Sequence, residues 1–128
     1  MTTAPPTPGG RPVALLLLTL SVLALPCSAR AHAYPDHADP KVGSTVRDSP
    51  RQVRIWFDGP LEPAFSSIAV HGPGGATVDD GHGRVDPSDP RVLEVDVPQL
   101  AAGTYRVTWS VVAKDGHRTS GDYTFTIR

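Results

Sequence analysis

The sequence is almost free of sulfur: its 128 residues include one cysteine, Cys27, and one methionine, Met1. Both precede residue 32, so the chain beyond that point has no disulfide to staple it and no thiolate or thioether to offer a soft ion. An excess of one charge is missing too. Twelve basic and 13 acidic residues leave a formal net charge of −1, which excludes a basic surface for nucleic acid. The one extended hydrophobic run, Val13 to Leu25, is 13 residues, short of the roughly 20 a spanning helix needs. After it there is no 3.6-residue apolar period and no internal repeat. Nothing in the sequence resembles a serine or cysteine nucleophile arrangement, a phosphate loop or a carboxylate pair set for hydrolysis.

What is present begins with the layout of a secretory signal peptide. A Thr/Pro/Gly-rich start containing Arg11 leads into the hydrophobic run, followed by Pro26 and the small-x-small motif Ala29-Arg30-Ala31. A short membrane anchor fits less well because of the run's length. A lipoprotein attached through Cys27 fits less well because Leu25-Pro26 is a poor lipobox. Cleavage after Ala31 makes residues 1–31 the signal peptide and leaves one domain of 97 residues, 32–128. Loss of Arg11 and Arg30 takes the formal charge from −1 to −3. With no disulfide the domain rests on its core, and at this size it buries only about two-thirds of its unfolded surface.

The periodicity in that domain is two. Val53, Ile55 and Phe57 alternate with Arg54 and Trp56. Leu93, Val95 and Val97 alternate with Glu94 and Asp96. Tyr105, Val107, Trp109 and Val111 alternate with Arg106, Thr108 and Ser110, and Tyr123, Phe125 and Ile127 with Thr124 and Thr126. Ser67 to His71 reads as a further strand, with short pairing expected at Ser44 to Val46 and Ala76 to Val78. Otherwise His32 to Gln52 reads as extended chain and turns, and the polar stretch Asp79 to Pro90 as a surface loop. Six or seven short strands with turns every 8 to 12 residues predict an all-β, antiparallel Greek-key sandwich or barrel. Leu100-x-x-Gly103-x-Tyr105 fits a tyrosine corner.

The chain's chemistry concentrates in Asp115-Gly116-His117. In an extended segment residues i and i+2 share a face, so a carboxylate and an imidazole can converge on one ion across a glycine. Two donors make a weak site, and His32, at the far end of the domain, is the candidate for the rest.

These residues resemble a known family. His32-Ala33, Pro40-x-x-Gly43 and Pro50-x-x-Val53-x-Ile55-x-Phe57 are similar to the start of the exported copper-binding CopC family. Leu100-Ala101-Ala102-Gly103-Thr104-Tyr105-x-Val107-x-Trp109-x-Val111-Val112-x-x-Asp115-Gly116-His117-x-x-Ser120-Gly121 resembles its final third, and Tyr123-x-Phe125-x-Ile127 its last strand. The resemblance covers the whole domain, loosely over Gly72 to Pro90. It implies a small Greek-key β-barrel that binds Cu(II) in the periplasm or cell envelope through His32, Asp115 and His117. It also implies a monomer, peripheral to a membrane at most, that exchanges copper with an inner-membrane transporter. The sequence departs from the family twice. Gly59 stands where many members have an acidic residue near the copper, with Asp58 and Glu62 as possible substitutes. No methionine remains to form the Met-rich Cu(I) site that some members carry.

The donor chemistry leads to the same ion. Once residue 32 is the amino terminus, His32 offers its α-amine and imidazole Nδ1 as a chelate. His117 adds a third nitrogen and Asp115 an oxygen, a set that suits Cu(II), first in the divalent affinity order. Tyr34 at the third mature position excludes an Xaa-Xaa-His motif. His37 is a candidate auxiliary ligand, whereas His71 and His82 read as solvated. Trp109 reads as core. Trp56 falls on the polar face, where it would cover the site or lie on the surface. Two other functions fit less well. Copper monooxygenases that cleave polysaccharides share an N-terminal histidine, but they are larger and present a flat aromatic surface. A metal-free immunoglobulin-like interaction module would leave the three donors without a role.

Overall fold

The computed structural model describes residues 1–10 and 32–128. The signal-peptide reading and its cut after Ala31 fall mainly on residues 11–31 and so lie outside the described residues.

The domain is built from eight strands: β1 (Pro35–Asp39), β2 (Thr45–Val46), β3 (Gln52–Phe57), β4 (Ser67–His71), β5 (Arg84–Val85), β6 (Val92–Asp96), β7 (Gly103–Val112) and β8 (Arg118–Ile127). They form two four-stranded sheets, ordered β1-β3-β6-β5 and β2-β8-β7-β4. The chain crosses between sheets at β1–β2, β2–β3, β3–β4, β4–β5 and β6–β7, as Greek-key connections do. One core fills the space between the sheets. Val53, Ile55 and Phe57 of β3 meet Val107 and Val111 of β7 and Tyr123, Phe125 and Ile127 of β8, as the period of two requires. Among the described residues the core draws on nothing before Ala33, so residues 32–128 contain all of it.

The tyrosine corner is present: Tyr105 Oη donates to the Ala101 carbonyl at 2.7 Å. Burial without a hydrogen-bond partner pushes the Tyr123 phenol well above its ordinary value, and the nearby Asp39 carboxylate adds to the shift. Trp109 is half-buried rather than interior and lies against the core. Its indole covers Gly121, where a Cβ would come 2.7 Å from Trp109 Cζ2. That close approach is why a side chain is missing there.

Several expectations need correction. The first sheet gains β1, whose burial pattern shows only Ala38 inside. It is an edge strand that opens on a proline, so it carries almost no apolar alternation to read. The Asp79 to Pro90 stretch is mostly loop, as expected, but includes the two-residue β5 paired to β6. β2 pairs β8 in parallel, so the second sheet is mixed rather than purely antiparallel. The two strands are far apart in sequence, and no hairpin forces the antiparallel sense. Glu94, expected to face water, is only 5% exposed. Arg54 Nε and Arg84 Nη2 cover its carboxylate at 3.1 and 3.0 Å, and Arg54 also reaches Asp86 at 2.6 Å. A carboxylate is tolerated at that depth because it is paired on both sides.

Candidate metal centre

The β7–β8 hairpin turns at Ala113 to His117. Gly116 N–H donates to the Ala113 carbonyl and Ala113 N–H to the His117 carbonyl, both at 2.9 Å. Gly116 has φ +87°, a left-handed conformation costly for any residue with a Cβ. Within this turn Asp115 bends over its own loop: Oδ1 accepts the His117 N–H at 2.9 Å, and Oδ2 lies 2.7 Å from His117 Nδ1. The two side chains therefore meet through a turn closed by an aspartate bond to the backbone. They do not meet by strand alternation, which the segment lacks at this point.

The third group comes from the start of the domain. His32 Nδ1 lies 3.7 Å from the same Asp115 Oδ2, and the His32 and His117 rings meet edge to face at 4.5 Å between centroids. One donor atom from each of His32, Asp115 and His117 falls within 4.8 Å of the others, and all three residues are exposed. These are the three residues expected from sequence, and they are brought together across 83 to 85 positions of chain. The set contains two imidazole nitrogens and a carboxylate, with no sulfur. Nitrogen and oxygen donors of this kind suit a borderline divalent ion, whereas soft ions favour sulfur.

Hydrogen bonds hold the Asp115 carboxyl below the usual carboxylate range. The largest contribution is the His117 backbone N–H, followed by the His117 ring and the charge of His32, against some desolvation. The sign follows from the depressed value. The stabilisation is present above the ordinary carboxylate range and disappears as pH falls through the lowered value in the folded state. Asp115 is therefore an anion throughout the neutral and mildly acidic range.

The surroundings of His32 contain Ala33 and Thr119, which sequence reasoning missed, and Asp58, which with Glu62 it weighed as a substitute for an acidic residue at position 59. Ala33 is fully buried, and its carbonyl accepts the Thr119 hydroxyl at 2.8 Å. Tyr34 N–H donates to Asp58 Oδ1 at 2.7 Å, and Asp58 N–H returns a bond to the Tyr34 carbonyl at 2.9 Å. Asp58 thus holds the amino-terminal backbone. Glu62 pairs with Lys114 Nζ at 3.2 Å behind the hairpin. Thr119 carries no motif of its own; only the proximity of residue 33 to β8 gives it a role.

The remaining histidines lie outside the cluster. His37 stacks on Trp56 at 4.5 Å between centroids, with Asp36 Oδ2 2.9 Å from its Nδ1. Arg54 covers the Trp56 ring at 4.9 Å, so Trp56 belongs to an outer-face stack on the first sheet. His71 is half-buried, its Nε2 3.0 Å from Thr108 Oγ1, rather than freely solvated as expected. His82 is exposed. A groove of about 600 Å³ lies by His71, Pro73 and Arg106 and includes none of the three convergent residues. Donor chemistry, not concavity, marks the candidate centre, since a small ion needs converging ligands rather than a large cavity.

Comparison with known proteins identifies the family of this chain. The family model described as CopC domain matches residues 36–128. The chain is 34% identical over 116 residues to Protein YobA of Escherichia coli (strain K12), covering 90% of this chain and 92% of the relative. The crystal structure of CopC from Methylosinus trichosporium OB3b superposes with a TM-score of 0.70 at 38% identity, over 75% of this chain and 93% of that one. PcoC, described as a methionine-rich copper resistance protein from Escherichia coli, gives a TM-score of 0.64 at 30% identity, over 77% and 100% of the two chains.

Proposed function

Because this chain belongs to the CopC family, with a function related to copper, we propose that it is an exported Cu(II)-binding protein of copper homeostasis and resistance. It acts as a carrier or buffer in the periplasm or cell envelope. Cu(II) is its cargo, and His32, Asp115 and His117 are the ligands. The observation that carries this reading is the convergence of these three donors from opposite ends of the domain. Cleavage after Ala31 adds the α-amine of His32, giving three nitrogens and one oxygen. The domain is not an enzyme on this reading, because the carboxylate fills a position that dioxygen would need. Its partner is an inner-membrane copper transporter.

A titration of residues 32–128 tests the ion. One Cu(II) per chain should bind tightly, while a Cu(I) chelator should strip Cu(I) readily, since the domain has no thioether or thiolate. PcoC is described as methionine-rich, and residues 32–128 have no methionine, so Cu(I) binding is where the two should differ most. Tight retention of Cu(I) would refute the assignment.

The pH dependence follows from the donors. Asp115 is already anionic, so acid competes with the ion at the nitrogen donors. Imidazoles and α-amines ordinarily titrate at about 6.5 and 7.7–8.0. Apparent Cu(II) affinity should therefore fall steeply from pH 8 to pH 5, as protons displace the ion. A competition titration at each pH checks this; a flat profile would point to carboxylates alone.

A further inference from the structure

His32 precedes the first strand. β1 starts at Pro35, and its pairing with β3 starts at Pro35↔Phe57, so no sheet ladder orders residues 32 to 34. An exposed terminus there would ordinarily fray. Three hydrogen bonds, from two different parts of the fold, prevent it. Thr119, on β8 two residues after His117, donates its hydroxyl to the Ala33 carbonyl at 2.8 Å. Asp58, just beyond β3, accepts from Tyr34 N–H through its carboxylate at 2.7 Å and donates its own N–H to the Tyr34 carbonyl at 2.9 Å. Between these bonds the Ala33 side chain is fully buried in the core.

We propose that Thr119 and Asp58 form a latch that holds His32 against the Asp115–His117 hairpin before any ion arrives. They are positioning residues, since neither belongs to the converging donor set. Thr119 has the larger role because it shares the start of β8 with the hairpin, so one strand sets both His117 and the carbonyl bond next to His32. Adjacent Cα atoms are about 3.8 Å apart, which leaves His32 little freedom once Ala33 is fixed. Ordering the terminus in advance removes that cost from metal binding. The consequence for affinity rests on the copper reading above; the consequence for the terminus does not.

The test uses residues 32–128 beginning at His32, in the wild type and in the variants Thr119→Val, Thr119→Ser and Asp58→Ala. Valine keeps the shape and removes the donor, and serine restores it. In the metal-free wild type, nuclear Overhauser contacts should link the His32 and His117 ring protons, whose centroids are 4.5 Å apart. Thr119→Val should lose those contacts with little change in sheet hydrogen exchange, Thr119→Ser should regain them, and Asp58→Ala should weaken them. Cu(II) affinity should fall about tenfold in Thr119→Val and return to within about threefold of wild type in Thr119→Ser, the scale reported for residues that orient ligands. If Thr119→Val keeps both the ring contacts and wild-type affinity, the latch is wrong and the copper reading stands. If no variant binds Cu(II) but Thr119→Val still loses the contacts, the copper reading fails and the latch stands.

Discussion

One residue added ahead of His32 is expected to weaken Cu(II) binding by at least about a hundredfold, or about 2.7 kcal/mol, while leaving the metal-free melting temperature unchanged. The addition turns the α-amine into a peptide nitrogen, which has no free lone pair and deprotonates with difficulty. The imidazole remains but loses its chelate partner. The fold should be indifferent, because the core begins at Ala33 and His32 is exposed. A Gly-His32 form should also shift the visible and paramagnetic resonance spectra of bound Cu(II), since one nitrogen leaves the coordination set. Equal affinity in the extended and native-terminus proteins would eliminate amine ligation and leave a site made of side chains only.

The second large effect is expected at the hairpin. His117→Ala removes the nitrogen donor of the β7–β8 turn and should also cost about a hundredfold or more in Cu(II) affinity. Its own stability cost should be small, because the side chain is exposed and the backbone N–H that bonds Asp115 is retained. Asp115 needs a gentler substitution. Asp115→Ala would also remove the oxygen that closes the turn, mixing a ligand effect with a loop effect. Asp115→Asn keeps an acceptor for the His117 N–H and removes the anion, so its loss, expected at about tenfold, isolates the charge. Competition titration with melting curves in parallel separates the two contributions. Wild-type affinity in His117→Ala would refute the proposed ligand set.

Legibility differed from one strand to the next. β3, β7 and β8 were readable because each buries one face, so alternation of Val, Ile, Phe and Tyr with polar residues must be visible in the sequence. The corner at Tyr105 was readable because its glycine, leucine and tyrosine have fixed offsets. β1 and β5 were not. One has a single buried residue and the other is two residues long, and their pairing depends on neighbours that sequence periodicity does not describe. Glu94 failed for a related reason: alternation places it outward, but two arginines from β3 and β5 close over it.

The sequence by itself determined the domain's chemistry. With no sulfur after residue 31, the donors that His32, Asp115 and His117 can offer are imidazole nitrogen and carboxylate oxygen, whatever the fold. Alternation determined the class of fold, because a chain of that pattern can hide its apolar face only between sheets. Tertiary structure alone decided how the donors meet. Asp115 and His117 converge through a left-handed glycine and an aspartate bond to the backbone, not through the strand geometry the sequence suggested. The approach of His32 likewise depends on Thr119 and Asp58, 86 and 24 positions from the residues they hold. Hydrogen bonds between such distant positions form only when the whole sandwich closes, so no local pattern in the chain records them.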